Sequence, residues 1–244
     1  METKSKDKEL KLHLGCGEKY LEGYVNIDFP QEEHTVINVK ADVYQDIRTL
    51  DYPENSVDEI RNHHIFEHFK RIDELHLLCQ WRKWLAPGGK LVIETPDFEE
   101  SAKAYVFANT RKRKMELGRH IFGSQEADWA IHYDFWDKSK FKYVLKKMGF
   151  KKIRIRRYSN SLAKHFPKIP LLNIIGNLLP MAFYKKYGGN KLPDIVVRAE
   201  KDGFVKLDED KVVREILSQY LTVNDGEKMM NAWLNDSYRN EKPE

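Results

Sequence analysis

Short apolar runs alternating with longer helical patterns constrain this chain more than any other feature. The runs are LKLHL at 10–14, YVNIDF at 24–29, HTVINVKAD at 34–42, VDEIRNHH at 57–64, KLVIETP at 90–96, KKIRIRRY at 151–158 and DIVVRAEK at 194–201. Such a rhythm predicts an α/β fold: a mostly parallel, seven-stranded, Rossmann-like sheet with helices on both faces and an antiparallel strand near the C-terminal edge. Between VDEIRNHH and KLVIETP, Ile72, Leu75, Leu78, Cys79, Trp81 and Leu85 recur at near-helical spacing, and Ala86-Pro87-Gly88-Gly89 ends that helix. A further helix at 138–148 carries Phe141, Val144, Leu145 and Met148 and stops on Gly149, the residue that best tolerates a left-handed cap. With 244 residues, 41% of them hydrophobic, the chain can bury a sizeable core in one domain.

Three segments fall outside this rhythm. Residues 1–9 are polar and read as a flexible arm. Residues 161–189 form an apolar insertion before the last strand, whose three prolines and Gly176 forbid one long helix and whose apolar runs are too short to span a bilayer. That insertion reads as a cap over an acceptor pocket; its flanking lysines make peripheral membrane contact the other reading. Residues 201–244 hold two amphipathic patterns and read as a C-terminal helical extension suited to packing or to a homodimer contact.

Charge and cysteine content narrow the class. The 42 basic against 38 acidic residues give a mild net charge of +4, which does not announce a nucleic-acid binder. Basic runs such as Arg111-Lys112-Arg113-Lys114 read first as solvated faces and second as contacts for an anionic acceptor. Two cysteines make no disulfide framework, and the polar opening lacks a signal-peptide pattern, so a cytoplasmic location is expected.

The chemistry concentrates near the N-terminus. Gly15-Cys16-Gly17 follows the first strand, where glycines let backbone amides approach a ligand, and Asp28 ends the second strand, where a carboxylate can accept from both hydroxyls of a ribose. The third glycine of a dinucleotide-binding fingerprint is replaced by Tyr20, which disfavours NAD. Only ten residues separate Gly17 from Asp28, so any first helix is cut to about two turns over Lys19 to Glu22. Cys16 reads as a small packing residue, and Asp97 as either an acceptor ligand or a helix N-cap. No metal set is evident, because the histidines lack a paired cysteine or a His-Glu-x-x-His spacing.

With Leu12-His13-Leu14-Gly15-Cys16-Gly17, Asp28, the stretch from Asp46 to Asp58 and Leu85-Ala86-Pro87-Gly88-Gly89 in order, the chain resembles class I S-adenosylmethionine-dependent methyltransferases, most of all the small group predicted to act on sugars or cell-surface intermediates. The likeness spans roughly residues 10–155 and implies a methyltransferase domain over 10–200 that binds S-adenosylmethionine (SAM). It implies that the backbone of Leu14, Gly15, Cys16 and Gly17 faces the methionine and ribose. Asp28 would hold the ribose, Asp46 and the Ile47 amide would read adenine, and His63 and His64 would line the methionine end. Where the family usually carries an acid two residues before the first glycine, this chain has His13.

Methyl transfer from a sulfonium needs alignment and a dry pocket more than it needs a base. For a hydroxyl acceptor, His64, His132 and His68 are the candidate proton acceptors, with His132 in a segment that overlies the acceptor side in the resembling group. The expected reaction is methylation of an oxygen, ahead of a nitrogen, on a small polar or sugar-like acceptor, phosphorylated and lipid-linked ones included. A catalytically silent SAM-binding subunit and an RNA methyltransferase are the competing readings.

Overall fold

The computed structural model describes residues 9–34, 36–158 and 192–240. Seven strands, β1 (Lys11–Leu14), β2 (Val25–Asp28), β3 (Val43–Tyr44), β4 (Val57–His63), β5 (Leu85–Pro96), β6 (Phe150–Arg157) and β7 (Asp194–Lys201), form one sheet in the order β3-β2-β1-β4-β5-β7-β6. Strand β7 runs antiparallel between β5 and β6, and the other pairings are parallel. The chain moves outward from β1 to β3 and then returns to lay β4 on the other side of β1. Open α/β sheets place ligands at such a reversal, beyond the carboxyl ends of the strands. Here those ends deliver Gly15 after β1, Asp28 at the end of β2, and His63 and His64 at the end of β4.

Helices α1 (Arg71–Trp84), α2 (Phe98–Phe107), α3 (Arg111–Phe122), α4 (Lys138–Lys147), α5 (Glu209–Ser218) and α6 (Glu227–Asn235) complete the described fold. The apolar periodicity of α1 buries Leu75, Leu78 and Trp81, which join Leu12, Ile27 and Ile60 of the sheet in one core. Phe141, Val144 and Leu145 of α4 and Val213, Ile216 and Leu217 of α5 enter that same core. The predicted end of α4 is present, since Gly149 adopts φ +70°.

Three expectations need correction. Residues 19–22 form no helix. Instead the buried Asn26 side chain accepts from Leu21 N–H at 2.9 Å and donates to Leu21 O at 3.0 Å, taking up the backbone groups that a helical turn would have used. The described residues of the run HTVINVKAD form no strand: Gln31 donates to Ile37 O and accepts from Val39 N–H, so a side-chain amide stands where a neighbouring strand would pair, and β3 begins only at Val43. Ala86 to Gly89 do follow the helix, but they lie inside β5, as an irregularity between the Val57–Leu85 and Glu59–Lys90 pairings. The insertion 161–189 and nearly all of the N-terminal arm lie outside the described residues. The two C-terminal amphipathic patterns are α5 and α6.

Candidate functional site

A cavity of about 530 Å³ opens at the strand reversal, a size suited to a ligand of nucleoside dimensions. Gly15 and Gly17 hold the left-handed conformation, at φ +65° and +52°, and the turn between them is pinned by Gly15 N–H and Cys16 N–H donating to Ile27 O. At Gly17 a side chain would meet only Ile37 Cδ1, at 3.7 Å, so that side stays open to a ligand. Gly15 has a different reason to be glycine: a Cβ there would lie 2.8 Å from the Ile65 side chain. Cys16 is buried with its Sγ 3.6 Å from Lys40 O, and burial pushes its thiol up to about 12, which fits a packing residue.

Asp28 is the organising acid of this end. Its Oδ2 accepts from Gly17 N–H at 2.6 Å, while Oδ1 accepts from Phe29 N–H at 2.8 Å and faces His34 Nε2 at 3.1 Å. Roughly four lone-pair sites minus three donors leave one site, so a vicinal diol can engage both oxygens once His34 lets go. His34 packs edge-on against Trp129, whose indole N–H donates to Glu33 O at 2.9 Å, and both rings border the cavity. Neither residue stood out in the sequence, where His34 was absorbed into an apparent strand and Trp129 had no motif around it.

The other predicted cofactor residues are distributed as follows. Leu14 is fully buried beneath the turn. Asp46 is gripped by Arg48 through Nε and a terminal nitrogen at 2.9 and 2.7 Å, and it is Arg48 rather than Asp46 or the buried Ile47 that borders the cavity. His13 faces away from the ligand space and meets Asn26 Oδ1 at 3.0 Å, with burial pushing its pKa down.

At the far end of the cavity the histidines converge. His63 Nε2 lies 2.7 Å from both Lys19 Nζ and Glu94 Oε1. His64 holds the left-handed conformation at φ +52°, with Nδ1 3.1 Å from Glu67 Oε1 and Nε2 3.5 Å from Asp194 Oδ1. Burial alone would lower its pKa, but the Glu67 hydrogen bond and the charges of Glu67, Asp194 and Glu94 outweigh this and raise it. Glu67 is buried, which opposes ionisation, yet His64, His68 and His132 around it hold it down to about 2. Of the three candidate proton acceptors, His64 and His68 border the cavity and His132 stands behind Glu67, its Nε2 3.9 Å from Glu67 Oε1.

Residues 12–93 match the family model described as a methyltransferase domain. No curated protein matches the chain. Among solved structures, a SAM-dependent methyltransferase from Archaeoglobus fulgidus is similar at 17% identity and a TM-score of 0.50, over 80% of this chain and 87% of that one. One from Methanosarcina mazei is similar at 14% identity and a TM-score of 0.46, over 81% and 94%. The phosphoethanolamine N-methyltransferase 2 of Haemonchus contortus is similar at 13% and 0.45, over 80% of this chain and 49% of that one.

The residues present fit SAM: an open glycine turn and a buried carboxylate with room for a diol face one cavity. Beyond the matched stretch, Asp97 caps α2, accepting from Glu100 N–H at 3.3 Å, and its Oδ2 lies 2.7 Å from Arg157 Nε. Burial raises its pKa to about 6. Asp97 does not border the cavity, so the capping reading describes it. Asp194 was not singled out from sequence, and His120 only as part of the basic patch that begins at Arg111. They come beside His64, whose Nε2 lies 3.5 Å from Asp194 Oδ1 and whose ring centroid lies 6.4 Å from that of His120, because β7 pairs with β5 and sets Asp194 beside Pro96. There His120 Nε2 lies 2.8 Å from Pro193 O and 3.4 Å from Asp194 Oδ1.

Proposed function

We propose that the chain transfers the methyl group of SAM to an oxygen of a small polar, sugar-like acceptor. One observation carries this reading: a single cavity runs from the Asp28 carboxylate to the imidazole of His64. In this reading Asp28 and the Gly17 amide face the ribose, the Asp46–Arg48 corner takes the adenine, and His63 and His64 border the reacting end. When bound, the cofactor supplies an electrophilic methyl on a sulfonium sulfur. The chain's own task is then to align the acceptor in line and to exclude water. His64 is the best-placed of the three histidines to receive a hydroxyl proton. Its Nδ1 is held by Glu67, which orients the ring and leaves Nε2 as the accepting nitrogen.

The test is a calorimetric titration with SAM followed by turnover on a panel of sugars, sugar phosphates and nucleotide-linked sugars. Asp28→Asn is expected to weaken cofactor binding by about 10- to 100-fold, the range of a lost charge-assisted hydrogen bond. His64→Asn should lower kcat far more than it changes cofactor affinity. Equal SAM affinity in wild type and Asp28→Asn refutes the site, and a methyl group recovered only on nitrogen refutes the oxygen assignment.

A further inference from the structure

We propose that Glu67, His68 and His132 bind a divalent transition-metal ion of the zinc or ferrous type, beside the cavity and apart from the cofactor's contacts. One ligating atom from each of these three side chains lies within 4.8 Å of the others. Glu67 is buried, and among the described residues its Oε2 has no hydrogen-bond partner. A buried carboxylate oxygen without a donor is costly unless a cation faces it.

The imidazoles supply the second observation. His68 Nδ1 lies 3.2 Å from Ile131 O, and His132 Nδ1 lies 3.2 Å from Ile121 O. A carbonyl oxygen only accepts, so each Nδ1 carries a proton, and Nε2 is the nitrogen that can ligate a metal once it gives up its own. Metal-binding histidines are held in this way, one nitrogen donating to a main-chain carbonyl and the other free to ligate. The rings meet edge-on, with centroids 4.7 Å apart. Two imidazole nitrogens and one carboxylate leave open positions of the kind zinc and non-haem iron accept.

The scaffold is built to hold the trio together. Glu67 and His68 sit in the 3-10 turn Phe66–His68, and Tyr133 N–H donates to Glu67 O at 2.9 Å, clamping the loop that carries His132. That loop is closed by the bridge between Gly123 and Ile131, where a Cβ on Gly123 would lie 2.2 Å from Ala130 O. His68 and Tyr133 border the cavity, so a metal held by His68 would lie at its wall. Residues 64–68 read His-x-x-Glu-His, but they lie across a strand end and a 3-10 turn rather than along an α-helix. The third ligand therefore comes from a distant loop, and local spacing could not reveal it. A second trio, His63, His64 and Glu94, also converges, but there the Lys19 ammonium already provides the cation.

The experiment uses the full chain, stripped with a chelator and titrated with zinc chloride by calorimetry, with cobalt(II) absorption as an independent readout. One equivalent is expected to bind at micromolar concentration. His68→Gln and His132→Gln should each weaken binding by at least about tenfold, and His76→Gln, on the outer side of α1, should not. The cobalt-loaded wild type should show the intense visible bands of a low-coordinate nitrogen and oxygen site, which requires no variant to fold. Absence of stoichiometric binding, equal affinity in the ligand variants, or a weak octahedral cobalt spectrum overturns the site. None of these outcomes depends on methyl transfer.

Discussion

A methyl group added at Gly15 meets Ile65 Cδ1 and Cγ1 at 2.8 Å while the backbone stays at φ +65°. Overpacking costs about 1–3 kcal/mol and the left-handed conformation about 1–2 kcal/mol for a non-glycine residue. Gly15→Ala should therefore lose about 2–5 kcal/mol of stability in urea unfolding. Gly17→Ala, which meets only Ile37 at 3.7 Å, carries the conformational cost alone. Combining Gly15→Ala with Ile65→Ala should cost less than the sum of the two single changes, because the removed side chain is the one obstructed. Additive losses would mean that Ile65 is not what excludes a side chain there. The same turn makes Cys16 inert: with its thiol pushed up to about 12 by burial, as is that of Cys79, an alkylating agent at mildly alkaline pH should modify neither in the folded protein.

Helix α1 ties the sheet to the C-terminal segment, and the tie contains a titrating group. His76 Nδ1 lies 2.6 Å from Ser237 Oγ, and Asp73 accepts from Tyr238 N–H at 2.9 Å. Burial, then the charge of Arg239, pushes His76 from its ordinary 6.5 down to about 4. The unfolded chain thus binds a proton that the folded one refuses between about pH 6.5 and 4. The stability owed to neutral His76 is full above 6.5 and is lost as pH falls through that window. Asp97, raised to about 6, works in the opposite direction, so the informative quantity is the difference between wild type and His76→Gln. Wild type should weaken more steeply on acidification, read from urea midpoints across the window, and parallel profiles would refute the assignment. Elements such as α1 and α4 were legible because apolar side chains at helical spacing have one way to be buried. The first crossover and β3 were not. There single amides, Asn26 and Gln31, satisfy backbone groups across the chain, and no periodicity announces which side chain will do so.

At the scale of the molecule, the order of motifs gave the sheet and one end of the cavity, since Gly15, Gly17, Asp28 and His64 all follow or close a strand at its carboxyl end. The pairing of Glu67 with His132, and of His34 with Trp129, arises only when the loop after α3 folds back over the β2–β3 connection and the turn that follows β4, and a linear reading has no access to it. The same holds for the C-terminal helices, which read as an extension but belong to the main core. Val213, Ile216 and Leu217 are buried against the rest of the core, with Met230 of α6 beside them. Burying each such side chain contributes about 1.5–3 kcal/mol, and whole domains are stable by only about 5–15 kcal/mol. The exposed Lys147–Glu215 pair between α4 and α5 adds little to that. A chain ended after Lys206 should therefore lose its cooperative thermal transition and its near-ultraviolet circular dichroism rather than persist as a smaller domain. Ile216→Ala in the full chain should stay folded and lose about 2–4 kcal/mol, the usual cost of a buried cavity. A truncated chain that still melts sharply, together with an Ile216→Ala variant of unchanged stability, would show that the last two helices are an appendage and that the core closes without them.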